Sequence, residues 1–367
     1  MTKAMILAAG QGMRVRPLTR NLPKPMVPIL GKPLLEYIIE HLARNGVREI
    51  MMNVAYNHYK IENFFGDGSR WGVEIGYSYE GVREHGDITP KPLGSAGGMR
   101  HIQELGGFFD DTTVVLCGDA IIDLDLRAAL KEHWLKNALA SVITLPVPRE
   151  EVKNYGVVVT DENNRVLSFQ EKPSPAQAKS NLASTGIYIF EPQVIDLIPS
   201  KQVFDIGSEL FPMLVERGLP FFAQTRPFNW IDIGRLTDYW AVQQRVLRGE
   251  VEGFSIPGKQ VRPGVWVGLN VQVNWDEVNI QGPVYIGSNT RVEAGATITG
   301  PTWIARGSHV RSGTRVEQCI LFDYTRISND QVFVDKIVSP QYCVDRSGDT
   351  IYVGDEDSPL RWGDARA

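Results

Sequence analysis

Near the N-terminus, Leu7-Ala8-Ala9-Gly10-Gln11-Gly12-Met13-Arg14 is followed by Pro23-Lys24-Pro25, which joins a glycine loop to a guanidinium and an ammonium group. Glycines lack Cβ atoms, so backbone N–H groups can come close to anionic oxygens. Arg14 and Lys24 add positive charge, one as a planar fork and one as a point charge. The chemistry that suits such a segment is the holding of a polyphosphate. A tight turn after any parallel strand would use the same two glycines, so the loop alone does not decide. Two common phosphate motifs are excluded: Val15 stands where a dinucleotide fingerprint has its third glycine, and no Gly-Lys-Ser or Gly-Lys-Thr triplet follows.

Two carboxylates add a second theme. Asp119 follows the apolar run Thr113 to Cys117, and Asp232 sits in Trp230-Ile231-Asp232-Ile233-Gly234. An unpaired carboxylate among apolar neighbours is costly. Two of them can share one hard divalent cation, and Mg²⁺ takes one or two carboxylates together with phosphate oxygens and water. Asp123 and Asp125 read as solvated or capping residues. Gly156, after Tyr155, either lets the backbone approach a sugar ring or marks a strand bulge. Glu171-Lys172-Pro173 is either a hydroxyl acceptor beside a phosphate-binding cation or an exposed charged turn.

The order of these segments carries more than any one of them. Glycine loop, Pro-Lys-Pro, Leu93-Gly94-Ser95-Ala96-Gly97, Gly118-Asp119, Tyr155-Gly156, Glu171-Lys172-Pro173, Thr185-Gly186 and Trp230-x-Asp232-x-Gly234 resemble, over nearly the full chain, the signature of the sugar-1-phosphate nucleotidylyltransferases. The resemblance implies that Arg14 and Lys24 hold a triphosphate, and that Asp119 and Asp232 hold Mg²⁺. Lys172 would bind the phosphate of a sugar 1-phosphate, while Gly156, Glu171, Thr185 and Gly186 would contact the hexose. Leu7, Ala9, Gly10, Gly12 and Asp119 would lie against the nucleotide, with Gly94, Ser95 and Gly97 bordering base and ribose. Arg14, Lys24 and Lys172 are the expected catalytic cations. The implied substrates are an NTP and a hexose 1-phosphate. The match extends to mannose-1-phosphate guanylyltransferases and to cyanobacterial-type glucose-1-phosphate uridylyltransferases, and it leans to UTP and glucose 1-phosphate, with GTP and mannose 1-phosphate as the alternative. A noncatalytic regulatory or scaffold subunit of the same plan is the rival from another class. Met13 departs from the family, which usually has a small hydroxyl residue there, and Gly81 to Lys91 is longer than the usual connection.

The elements that must position these groups can be read from periodicity. Residues 1–250 alternate short apolar runs with helical stretches, the pattern of an α/β fold, here a Rossmann-like and mainly parallel sheet. Strands are expected at Ala4 to Leu7, Glu49 to Val54, Val73 to Tyr79, Thr113 to Cys117, Ala140 to Leu145 and Gly186 to Phe190. Helices are expected after Pro33, at Leu126 to Lys136 and at Leu236 to Leu247. In the helix after Pro33, Leu34, Leu35, Ile38, Ile39 and Leu42 form one apolar stripe and Asn45-Gly46 is the stop. Over 258–345 the arithmetic changes. Ile280, Ile286, Val292, Ile298, Ile304, Val310 and Val316 recur every six residues, and Thr290, Ala296, Thr302, Ser308 and Thr314 stand two before. That register predicts a hexapeptide-repeat left-handed parallel β-helix. Gly253 to Gly258 is the expected junction, and residues 346–367 read as an exposed acidic tail. Lone His309 is a poor basis for an acyl-transfer site.

Composition bounds the partners. With 367 residues, 43% hydrophobic, a net charge of −5 and no Lys/Arg cluster, the chain suits metabolites rather than nucleic acid. Three widely spaced cysteines, Cys117, Cys319 and Cys343, suggest neither a disulfide framework nor a metal site and read as reduced and buried. No signal segment or long apolar span is visible, so a cytoplasmic homo-oligomeric enzyme with no membrane partner is expected, its solenoid contributing oligomer contacts or packing on the catalytic domain.

Overall fold

The computed structural model describes residues 2–84, 87–251 and 254–367. The chain forms two compact units. Met1–Gln11, Asn21–Met26 and Leu34–Trp230 make the first, and Gly12–Arg20, Val27–Pro33 and Ile231–Ala367 make the second.

The first unit is built on a nine-stranded sheet. Its strands are β1 (Lys3–Leu7), β2 (Glu49–Val54), β3 (Glu74–Tyr79), β4 (Thr113–Cys117), β5 (Ala140–Pro146), β6 (Gly156–Thr160), β7 (Val166–Glu171), β8 (Leu182–Phe190) and β9 (Phe221–Thr225). The order is β7-β6-β8-β4-β1-β2-β3, and β5 pairs with both β8 and β9. β4, β1, β2 and β3 are parallel, whereas β8 is antiparallel to β4 and β6 to β7. The expected parallel sheet therefore holds for one half and is mixed in the other.

Helices cover both faces because β1 is apolar on both. Ala4 and Ile6 pack with Leu35, Ile38, Ile39 and Leu42 of helix α1 (Leu34–Arg44). Met5, one residue out of phase, packs with Met99 and Ile102 of a helix at Ser95–Gly106. Each fully buried aliphatic side chain contributes roughly 1.5–3 kcal/mol. The α1 stripe and its stop match the sequence pattern, with Gly46 at φ 91 just beyond the helix. The Ser95–Gly106 helix is not among those expected from the sequence; two consecutive glycines, Gly97-Gly98, argue against helix on propensity.

The second unit contains the solenoid. Strands Val265–Val267, Val284–Ile286, Thr302–Ile304, Ile320–Leu321 and Lys336–Val338 stack in parallel as one face, and two further ladders make the others. Ile286, Val292, Ile298, Ile304, Val310 and Val316 are buried in its interior as the six-residue register requires, and Ile280 packs against them from the first turn. The small corner residues are buried too. The hydroxyls of Thr290, Ser308 and Thr314 donate to the carbonyls of Ala305, Phe322 and Ser328, one turn on.

The helix Leu236–Leu247, drawn from the sequence into the 1–250 domain, groups with the second compact unit, whose last segment is Ile231–Ala367. There, Tyr239 Oη and Gln243 Nε2 each donate to the Pro28 carbonyl at 2.8 Å, and Gln244 Nε2 donates to the Pro301 carbonyl at 3.1 Å. Tertiary hydrogen bonds, not the glycine-rich junction, decide where the helix goes; Gly253 itself lies outside the described residues. Nor is 346–367 a free tail. Thr350–Tyr352 and Trp362–Asp364 are strands, paired to Tyr342–Asp345 and to Thr325–Ile327, and Trp362 Nε1 donates to the Ser339 carbonyl at 2.9 Å. The acidic turn Gly354 to Asp357 is exposed, as is Arg346 to Asp349, whereas Leu360 and Trp362 pack on the solenoid interior. Among the cysteines, Cys319 and Cys343 are buried and burial pushes both thiols up to about 12, while Cys117 is only half-buried. Among the described residues, no helix is long and apolar enough to cross a membrane.

Candidate active site

In the first unit, parallel strand ends gather the predicted groups. Gly118 donates its N–H to the Leu7 carbonyl at 2.9 Å, and a Cβ there would lie 3.0 Å from that oxygen and 3.4 Å from Pro25. Glycine thus lets the end of β4 lie flush with the end of β1, and this places Asp119 beside Pro23-Lys24-Pro25. Lys24 Nζ meets Asp119 Oδ2 at 2.5 Å. Lys24 is 8% exposed, so removing this partner would leave its ammonium without its short carboxylate contact. The other Asp119 oxygen has no partner among the described residues. Gly10 has open space where a Cβ would stand, which leaves its backbone free to be approached.

The hexose motifs are joined by strand pairing. Gly156 of β6 stands opposite Glu171 of β7, and Lys172 N–H donates to the Tyr155 carbonyl at 3.1 Å. Glu171 and Lys172 form an ion pair of 2.8 Å, both about half exposed. The space beside Gly156 is taken by the protein itself: a Cβ there would sit 2.1 Å from Phe169 Cζ. Thr185 Oγ1 donates to the Ile143 carbonyl at 2.9 Å and is buried, so its hydroxyl is not offered to a ligand. Gly186, at φ 73, abuts Cys117 Sγ just before Gly118-Asp119.

Leu93 to Gly98 is held from behind by a segment that the sequence did not mark. The amides of Ala96 and Gly97 both donate to the Phe204 carbonyl, at 3.0 and 2.8 Å. A Cβ on Gly94 would lie 2.5 Å from the same oxygen, and one on Gly97 would lie 2.8 Å from Gln202 O. Ser95 Oγ donates to Asp205 Oδ2 at 2.7 Å and accepts from Ile206 N at 2.8 Å. Burial works to raise the Asp205 carboxyl, but hydrogen bonds from Ser95, Ser208 and Gly207 outweigh it and hold the group below the usual carboxylate range. These glycines serve backbone packing first, and the Ser95 hydroxyl is already engaged. A second hidden ladder links this loop to the glycine loop. Ala8 N donates to Asn53 Oδ1 at 2.9 Å, and Asn53 Nδ2 donates to Glu80 Oε1 at 2.7 Å. Glu80 also accepts from Leu93 N–H, and its burial drives its pKa up against those bonds. Asn53, Glu80, Phe204 and Asp205 carried no motif; the one available signal was Asp205 ahead of a helical run, where a cap is expected.

The second unit carries Gly12, Arg14 and Asp232. Gly12, at φ 62, opens the single turn Met13–Val15, and Thr19 Oγ1 closes back on its carbonyl at 2.7 Å. Arg14 is exposed and faces no carboxylate among the described residues. Asp232 is half-buried; a Cβ on Gly234 would lie 3.2 Å from its Oδ2 and 3.3 Å from Asp238 Oδ2, so glycine leaves those carboxylates room. Asp125 caps the helix Leu126–Leu135 through Ala128 N, as expected. Asp123 accepts from both the amide and the side chain of Asn229, each at 2.6 Å. The side chains of 82–90, including His85, Asp87 and Pro90, lie outside the described residues.

Comparison with known proteins agrees with this layout. The nucleotidyl transferase family profile matches residues 3–249, which span the glycine loop, Lys24, Asp119, Lys172 and Asp232. The chain belongs to the nucleotidyl transferase family. A UTP–glucose-1-phosphate uridylyltransferase of Synechocystis sp. is 52% identical over 351 residues, covering 96% of this chain and 90% of the relative. A mannose-1-phosphate guanylyltransferase of Mycobacterium tuberculosis is 29% identical (88% and 80% covered), and a glucose-1-phosphate adenylyltransferase of Desulfitobacterium hafniense 28% (89% and 83%). A Bacillus anthracis structure, described as a glucose-1-phosphate thymidylyltransferase in complex with sucrose, shares the fold at a TM-score of 0.58 and 24% identity, over 70% of this chain and 98% of that one. The family match and the 52% identity to a uridylyltransferase make the chain an enzyme of the nucleotidyltransferase class, against the scaffold reading.

Proposed function

We propose that this nucleotidyltransferase joins UTP to glucose 1-phosphate with Mg²⁺, forming UDP-glucose and releasing pyrophosphate. The observation that carries the substrate choice is the 52% identity, over 96% of the chain, to a uridylyltransferase, against 29% and 28% to guanylyl- and adenylyl-transferring relatives. A phosphate oxygen of the sugar attacks the α-phosphorus of the NTP, and the bond to the bridging oxygen of pyrophosphate breaks. The nucleophile is already anionic, so no general base is needed. The obstacle is repulsion between two phosphate groups and charge growing on the leaving pyrophosphate. Arg14 and Lys24 are the groups suited to the triphosphate, and Lys172 to the sugar phosphate; fixed cations of this kind act most strongly where charge develops. Glu171, which stands opposite Gly156 in the strand pair, would accept from hexose hydroxyls. Gly94, Ser95 and Gly97 would border base and ribose through backbone and shape, since the Ser95 hydroxyl and the Gly97 amide are spent.

Asp119 and Asp232 are the proposed Mg²⁺ ligands, and bound Mg²⁺ would neutralise phosphate charge. Asp119 fits: Lys24 holds one oxygen and leaves the other for a hard cation. Among the described residues no group of three or more His, Cys, Asp or Glu converges, and none is required of a cation that also takes phosphate oxygens and water. A cytoplasmic homo-oligomer remains part of this reading. An initial-rate matrix of four NTPs against glucose 1-phosphate and mannose 1-phosphate, with Mg²⁺, is the test. The expected result is highest kcat/KM for UTP with glucose 1-phosphate; a maximum at GTP with mannose 1-phosphate would replace this assignment.

A further inference from the structure

We propose that Tyr352, at the far end of the chain, is a positioning residue for the phosphate-binding loop and acts through Arg20. The proposal rests on reading 12–20 as part of the triphosphate site. Gly12–Arg20 carries Arg14, yet it belongs to the second compact unit and not to the sheet whose β1 strand leads into it. Its internal bonds are short-range: Val15 N to Gly12 O, Arg16 N to Met13 O, Leu18 N to Val15 O and Arg20 N to Pro17 O, at 3.0 to 3.3 Å, with the Thr19 hydroxyl on Gly12 O. Met13, Arg14, Arg16 and Arg20 are all exposed. At the end of this loop Arg20 Nη1 donates to Tyr352 Oη at 2.8 Å.

The tyrosine is mounted on a frame. Tyr352 pairs with Tyr342 across a hairpin, and the strand Tyr342–Asp345 pairs in turn with Lys336–Val338 of the solenoid. Tyr352 is 45% exposed, so it adds little to the core, and it meets Arg20 both at its hydroxyl and through its ring, whose centroid lies 5.5 Å from the guanidinium. Ordering a loop costs backbone entropy at the moment a ligand binds. A loop already tied at Arg20 has part of that ordering done, so Arg14 is presented to an incoming triphosphate in fewer conformations. Tyr352 would then lower KM for the NTP without touching it. It would have no reason to alter sugar-phosphate binding.

Hydrogen exchange of the full-length protein without nucleotide reads the tether directly, and kinetics read its consequence. Tyr352→Phe, which removes only the hydroxyl, is expected to speed exchange at Val15, Leu18 and Arg20 by about three- to tenfold. Arg20→Gln should do at least as much, since it also takes the guanidinium from over the Tyr352 ring, 5.5 Å from its centroid, and the double variant should go no further than Arg20→Gln alone. In initial rates, Tyr352→Phe should raise KM for UTP about threefold while kcat and KM for glucose 1-phosphate stay within about twofold, and Arg20→Lys should recover part of the loss. Unchanged exchange in both single variants overturns the proposal, as does faster exchange spread through the solenoid or an equal rise in both KM values. Exchange that responds in a protein inert toward every NTP upholds the tether and fails the catalytic reading instead.

Discussion

Lys24 and Asp119 lie 95 residues apart in sequence and form a short ion pair at the meeting point of two parallel strand ends. In the proposed reaction each group would take a second partner, phosphate for Lys24 and Mg²⁺ for Asp119. Asp119→Ala is expected to lower kcat/KM by about a hundredfold or more, equivalent to roughly 3 kcal/mol of transition-state stabilisation, with circular dichroism unchanged. Near-normal rates at saturating Mg²⁺ would sink the metal assignment. Gly156 makes a different prediction, because Phe169 occupies the place of its missing side chain. Gly156→Ala should cost about 1–3 kcal/mol of stability in thermal unfolding, and Phe169→Leu in the same chain should return part of it. An additive double variant would show that the two do not meet. The types of these residues were legible in the sequence; that Gly156 is kept for Phe169, and that the Thr185 hydroxyl is spent on Ile143, was not.

At the scale of elements, local pattern was a good guide wherever one face meets the core. β2, β4 and the helix Leu236–Leu247 fall where apolar spacing put them, and α1 ends at the expected stop. Pattern misled at Ser95–Gly106, where Phe204 and Asp205 supply the hydrogen bonds that hold a glycine-rich N-terminus in place. A buried network elsewhere on the sheet sets a pH response. His133 is fully buried, with Nδ1 2.8 Å from Ser141 Oγ and Nε2 3.1 Å from Glu191 Oε1. Burial holds its pKa below the ordinary 6.5, against the pull of Glu191, and His41 is lowered in the same sense. The folded state then binds fewer protons than the unfolded one. The stabilisation is complete above the ordinary value and is lost as pH falls through the folded one. Thermal midpoints should drop on acidification from about pH 7.5 to about pH 5.5, and His133→Gln should flatten that slope. Equal slopes in the two proteins would exclude His133 as a source.

For the whole molecule, the solenoid supports a helix outside its own coils. The helix Leu236–Leu247 leans on it through Gln244 and Pro301, and Tyr239 and Trp303 flank Phe322 with ring centroids 6.4 and 5.9 Å away. A chain cut near Gly258 would expose that helix face and strip Arg20 of Tyr352. Its thermal midpoint is expected to fall by several degrees or more, alongside any change in sedimentation. A truncated protein as stable as the full chain would reject this coupling. The sequence by itself determined the chemistry on offer, the six-residue register of the solenoid and the order of the motifs, because these depend on residue type and on spacing along one stretch of chain. Only the tertiary structure decided which groups share a bond: Lys24 with Asp119, Ser95 with Asp205, Arg20 with Tyr352. Such pairs depend on how distant segments approach one another. Burial and backbone geometry set that approach, and no local pattern encodes it.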